Sequence, residues 1–102
     1  MDPDERPFTG FASLVRRARR ERGQSQRQLS RALGMSDGYV GHLESGRFRP
    51  NVQTLKAVSE VLGLTYGQLA VETGYITRDE FENPIDEGQL ARLNEIGDLT
   101  EQ

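Results

Sequence analysis

Ser36, Asp37, Gly38, Gly41, His42 and Ser45 form a short polar set that is followed at once by Arg47 and Arg49. At about 100° per residue, Asp37, Gly38, Gly41, His42 and Ser45 share one face of a helix, with Tyr39, Val40 and Leu43 on the other. An acceptor, an imidazole and two glycines on a face without long side chains suit recognition at close range. Two glycines cost such a helix roughly 1 kcal/mol each against alanine, a cost that close backbone approach to base edges or a thymine methyl would explain. Bond-making chemistry has little to work with. There is one histidine and no cysteine, so thiolate metal sites, disulfides and a cysteine nucleophile are excluded. No serine has a plausible histidine base, no HExxH occurs, and no glycine-rich loop joins a strand to a helix. The carboxylates of residues 79–87 lack calcium-loop spacing. No catalytic residue, metal or cofactor is expected.

Positioning that face requires short helices, and the pattern supplies them. Phe11, Leu14, Val15 and Ala18 recur as i, i+3, i+4, i+7 and define a first helix over about 10–22, closed by Gly23. Ser25 and Gln28 form a capping box for a second helix, whose stripe is Leu29, Ala32 and Leu33. Gly34–Met35–Ser36 makes a tight turn, and Ser36 is the expected cap of a third helix over Asp37–Glu44. A turn of this length holds two helices steeply, so that the second can enter a DNA major groove. Val52, Leu55, Val58, Val61 and Leu62 mark a fourth helix, and Thr65 is a candidate cap for a fifth over Tyr66–Val71. Nothing alternates with period two, so an all-α fold is expected, with five helices in a compact domain at 10–71. Residues 1–9 read as a flexible N-terminal arm and 72–102 as a short helical acidic extension.

The overall charge of −3 conceals a division. Residues 1–64 hold eleven bases, ten of them arginine, against seven acids, for a net +4; residues 65–102 hold two bases and nine acids, for a net −7. Arginine suits bidentate phosphate contact, and such asymmetry suggests a polyanion-binding module joined to an acidic interaction or shielding segment. Gln26 opens the second helix, where its side chain and the terminal amides can meet a phosphate. Arg47 and Arg49, in the loop after the third helix, are phosphate candidates, with Arg27, Gly41 and Ser45 as possible additional contacts. Arg16 and Arg20 lie opposite the first helix's apolar stripe and are expected to be solvated.

Ser25-Gln26-x-x-Leu29-Ser30, Leu33-Gly34-Met35-Ser36, Tyr39-Val40-x-x-Leu43-Glu44-x-Gly46, Arg49-Pro50 and Leu55-x-x-x-Ser59-x-x-Leu62-Gly63 follow in order. Over about residues 11–71 this set resembles the phage-repressor/Cro-type helix-turn-helix (XRE) family. The resemblance implies a sequence-specific regulator of transcription, most simply a repressor that binds double-stranded DNA. It places Asp37, Gly38 and His42 at base-reading positions, Gln26 and Ser36 at phosphate-contacting ones, and Arg19 with Glu44 as a structural ion pair. Asp37 in a groove makes sense as an acceptor for cytosine N4, and His42 as a donor to guanine. With few long side chains, direct readout is expected to be supplemented by DNA shape. Ser30 and Ser59 stand where the family usually has alanine, and Gln24 where it often has an apolar residue, departures that bear on core tightness.

The acidic third leaves three roles open. Tyr75, Ile76, Phe81, Ile85, Leu90, Leu93 and Ile96 could pack across a two-fold axis, giving a homodimer on a palindromic operator. The segment could instead dock a protein antagonist or RNA polymerase, or screen the basic face. The alternative to a repressor is an antitoxin or anti-repressor-like interaction module that works through this segment. With no membrane-length apolar run and no signal-peptide core, a cytoplasmic protein without membrane contact is expected.

Overall fold

A computed structural model describes residues 5–83. Among them are six helices and no strand: α1 Thr9–Glu21, α2 Gln26–Ala32, α3 Tyr39–Glu44, α4 Val52–Leu62, α5 Tyr66–Glu72 and α6 Arg78–Glu82. The all-α architecture matches the expected one. None of the helices is long and apolar enough to cross a membrane.

The apolar stripe of α1 sets the core. Phe11 and Val15 are wholly buried, and around them close Leu29 of α2, Val40 and Leu43 of α3, Leu55, Val58 and Leu62 of α4, and Leu69 of α5. Each stripe faces inward because its residues recur every three or four positions. Thus α1 packs against α3, α4 and α5, and α2 packs against α3, so the turn between α2 and α3 is braced from behind. Both halves of the Ser25–Gln28 capping box are present, at 3.0 and 2.8 Å.

The third helix begins later than expected. Asp37 and Gly38 lie in the turn, Gly38 holds the N-cap position, and no side chain of the cap residue bonds the helix. Ser36 does not cap it; its carbonyl accepts the Tyr39 N–H at 3.0 Å. The side-chain cap comes from across the turn instead. Ser30, wholly buried in α2, donates its hydroxyl to Gln26 O at 2.8 Å and accepts the Val40 N–H at 3.0 Å. Ser59 likewise donates to Leu64 O at 2.7 Å. Neither serine loosens the core, because each hydroxyl satisfies a backbone group there. Gln24 is different: its side-chain oxygen is buried and unbonded among the described residues.

Two expected boundaries also shift. Phe8, assigned to the arm, is half-buried against the core and donates its N–H to Gly46 O at 2.9 Å. Gly46 closes α3 at φ +72°, and a Cβ there would lie 3.3 Å from Thr9 backbone atoms. Glycine is therefore required on both conformational and steric grounds. At the other end, packing does not stop at Val71. Thr73 is 1% exposed, its hydroxyl bonding Leu69 O, and Thr65, at the N-cap of α5, makes no side-chain cap bond. Thr77 does cap α6, accepting the Glu80 N–H at 3.0 Å. The last expected helix, with Leu90, Leu93 and Ile96, and Ile85 before it, lies outside the described residues.

Candidate nucleic-acid interface

The turn and the leading end of α3 form an exposed surface built by α2 and α3 together: Gln26, Arg27, Ser36, Asp37, Gly38 and His42 all face solvent, as does Arg47 beyond the helix. Beneath it lies the ion pair that ties α3 to α1. Arg19 and Glu44 are both buried, and the guanidinium grips the carboxylate twice, Nε to Oε2 at 2.7 Å and Nη2 to Oε1 at 3.0 Å. The remaining Arg19 Nη1 donates to Gln24 O at 2.8 Å. Burial alone would push the Glu44 carboxyl up, but the hydrogen bonds from Arg19, Gln26 and Arg16 and the charge of Arg19 outweigh it and hold the group below the usual glutamate range.

Arg16 departs from its expected solvated position. Its Nε donates to Glu44 Oε1 at 3.3 Å and its Nη2 to Glu44 O at 3.0 Å, so it closes the C-terminal end of α3. A cation there also complements the helix dipole. Gln26, the expected phosphate partner, leans on the same carboxylate, Nε2 to Oε1 at 3.4 Å. At Gly41 an added Cβ would sit 3.3 Å from Gln26 Oε1, so a larger residue there needs that amide to shift by a few tenths of an ångström.

Gly38 is the N-cap residue, a position where glycine is common; its φ of −88° is open to any residue, and a Cβ there would meet no described atom within 4 Å.

Asp37 is held by two arginines of α2, Arg27 Nε at 3.0 Å and Arg31 Nε at 3.1 Å, one on each oxygen. The Arg31 hydrogen bond is the main cause of a carboxyl held below the usual aspartate range, with Arg27 adding to it. All three side chains are more than half exposed, so these pairs are weak and exchangeable. They offset the aspartate's repulsion of a polyanion and keep two guanidinium groups beside the turn.

His42 does not stand alone: its ring stacks on Phe48, with centroids 4.1 Å apart and planes at 17°. Ser45 turns its hydroxyl back onto His42 O at 2.7 Å. Arg47 and Arg49 are both exposed, but Arg49 is also engaged within the chain. Its Nε donates to Thr73 O at 2.8 Å and its guanidinium lies 3.9 Å over the Tyr75 ring. Tyr75 in turn donates its hydroxyl to Pro50 O at 2.8 Å. Phe81 seats its ring against Gly67 of α5, where a Cβ would collide with it, and Ile76 is half-buried. Tyr75 and Phe81, expected across a two-fold axis, thus have partners within their own chain, though 36% and 38% of their surfaces stay exposed.

Four contributors were missed from the sequence: Ser30, Arg16, Phe48 and Thr73. For Ser30 the signal was visible as a hydroxyl at a core position, which must find a partner when buried. For Phe48 it was an aromatic residue between two loop arginines.

Two short helices across a glycine turn, an exposed polar face on the second and a buried ion pair behind it define a helix-turn-helix DNA-binding domain. A family model described as Helix-turn-helix matches residues 15–78, and the chain belongs to that family, a DNA-binding regulator of transcription and not an enzyme. Relatives include the ImmF control region 10 kDa protein of Bacillus phage phi105, 33% identical over 72 residues, covering 64% of this chain and 80% of that protein. The immunity repressor protein of the same phage is 31% identical over 84 residues; the match covers 80% of this chain but 58% of the repressor's length. An uncharacterized HTH-type transcriptional regulator of Sinorhizobium fredii is 37% identical over 70 residues, 69% of this chain and 88% of its own. No solved structure gives a significant match.

Proposed function

We propose that this regulator is a repressor that binds a palindromic operator as a homodimer, with α3 in the major groove. The observation that carries the reading is Gly38. A Cβ there would meet no described atom within 4 Å, which leaves the leading end of α3 open to close approach from outside. Asp37 and His42 flank the opening as base-reading groups, while Gln26, Ser36 and Arg47 face the phosphates on either side. Arg27 leaves Asp37 for a phosphate when the duplex arrives, freeing a carboxylate oxygen for cytosine N4. Arg49 serves chiefly as the joint to Thr73 and Tyr75. The similarity to a phage immunity repressor supports repression, and a module of this size spans one half-site, so two copies give affinity on a palindrome. The acidic C-terminal third supplies the second-copy contact in this reading.

The test is titration of duplexes from the gene's own upstream region, and of scrambled ones, at several salt concentrations, followed by fluorescence anisotropy. Wild-type protein should favour the native pool. Gly38→Leu should leave stability within about 1 kcal/mol yet weaken native-pool binding by about tenfold or more, as overpacking a close contact does. Arg47→Ala should weaken binding to every duplex and reduce the salt slope by about one. Equal affinity of Gly38→Leu and wild type would remove α3 from the groove.

A further inference from the structure

Phe48 has no role in holding the core, and 51% of its surface is exposed. Its ring nevertheless lies nearly parallel to the His42 imidazole, 4.1 Å away between centroids. His42 makes its hydrogen bonds through the backbone, N–H to Gly38 O at 3.2 Å and carbonyl to the Ser45 hydroxyl at 2.7 Å. What orients the imidazole is therefore the stack. The backbone that carries Phe48 is anchored. Pro50 two residues on is buried, its carbonyl accepts the Tyr75 hydroxyl, and Arg49 between them is tied to Thr73 O. The loop from α3 to α4 is thereby fastened to the segment after α5.

Resting on the proposed reading of α3, we infer that Phe48 is a positioning residue for base discrimination: it holds the exposed His42 ring with one face covered and its plane fixed. An imidazole reads a base through hydrogen bonds in its own plane, to guanine N7 or O6. Fixing that plane before binding removes the conformational cost of selecting it, and misaligned donors lose their advantage steeply with angle. The ring carries no charge, so its contribution is to discrimination and not to the electrostatic attraction shared by all duplexes.

The experiment compares wild type, Phe48→Ala, Phe48→Tyr, His42→Ala and the double variant Phe48→Ala/His42→Ala on the native and scrambled duplex pools across salt concentrations. Phe48→Ala should lose about 3- to 10-fold of the native-over-scrambled preference, with the salt slope unchanged, and Phe48→Tyr should retain the preference. In the double variant the Phe48 substitution should add little to the loss from His42→Ala, as expected of two residues acting as one unit. The His42 ring-proton NMR shifts should move in Phe48→Ala, through loss of the aromatic ring current, and stay near wild type in Phe48→Tyr. Equal weakening on both pools, or losses that add fully in the double variant, would overturn the inference while leaving the groove reading intact. Wild-type protein that fails to separate the two pools would overturn the groove reading and this inference with it.

Discussion

Replacing Glu44 with alanine is expected to lower the stability of the domain by about 3–5 kcal/mol, the range for removing one partner of a buried pair. Arg19 would be left buried with two donors unpaired, since its Nε and Nη2 both end on Glu44. Arg16 and Gln26 would also lose an acceptor, so the disturbance would reach the N-terminal end of α2. Glu44→Gln should fall between alanine and wild type, because it keeps the shape and an acceptor but not the charge. The pair also gives stability a dependence on pH. The folded-state carboxyl is held low, so its contribution is fully present above the unfolded glutamate value, near 4.3. It disappears as pH falls through the folded value. Urea denaturation of wild type and Glu44→Gln at pH 7 and between pH 5 and 3 checks both points: the difference should shrink on acidification. A constant difference would mean that the charge is not what stabilises the contact.

Truncation should separate the folding contacts of the acidic third from its proposed role in dimerisation. A chain ending at Val71 is expected to lose about 2–4 kcal/mol, from an unpaired Arg49 Nε, a lost Tyr75–Pro50 hydrogen bond and the cation–π contact over Tyr75. These contacts are 2.8 Å, 2.8 Å and 3.9 Å in the intact chain. A chain ending at Asn83 keeps all three and should unfold near the wild-type midpoint. Sedimentation of the longer truncation then tests dimerisation without an accompanying folding defect. If the full chain sediments as a dimer and the chain ending at Asn83 as an equally stable monomer, residues beyond Asn83 make the second-copy contact of the proposed dimer. If it remains a dimer, the contact lies within residues 1–83.

Much of this molecule was legible from local patterns. Phe11 and Val15 at i and i+4, or Leu55, Val58 and Leu62, announce a buried stripe because helical geometry alone puts them on one face. The Ser25–Gln28 box was readable for the same reason: both partners sit within one turn. The Arg19–Glu44 contact came only through family resemblance, since 25 residues separate the partners.

By itself the amino-acid sequence determined the five helices between Thr9 and Glu72, the turn after Gly34 and the charge division along the chain, all set by spacing, propensity and composition. Only the tertiary structure decided which polar groups are available to a ligand. It turned Ser30 into the cap of α3, placed Asp37 between Arg27 and Arg31, set Arg16 on Glu44 and engaged Arg49 with the segment after α5. It also separated Gly41, where a Cβ would press on the end of the Gln26 side chain, from Gly38, where a Cβ would meet no described atom. These outcomes depend on which donor lies within about 3 Å of which acceptor. That distance is set by the packing of helices on a shared core, beyond the reach of neighbours along the chain.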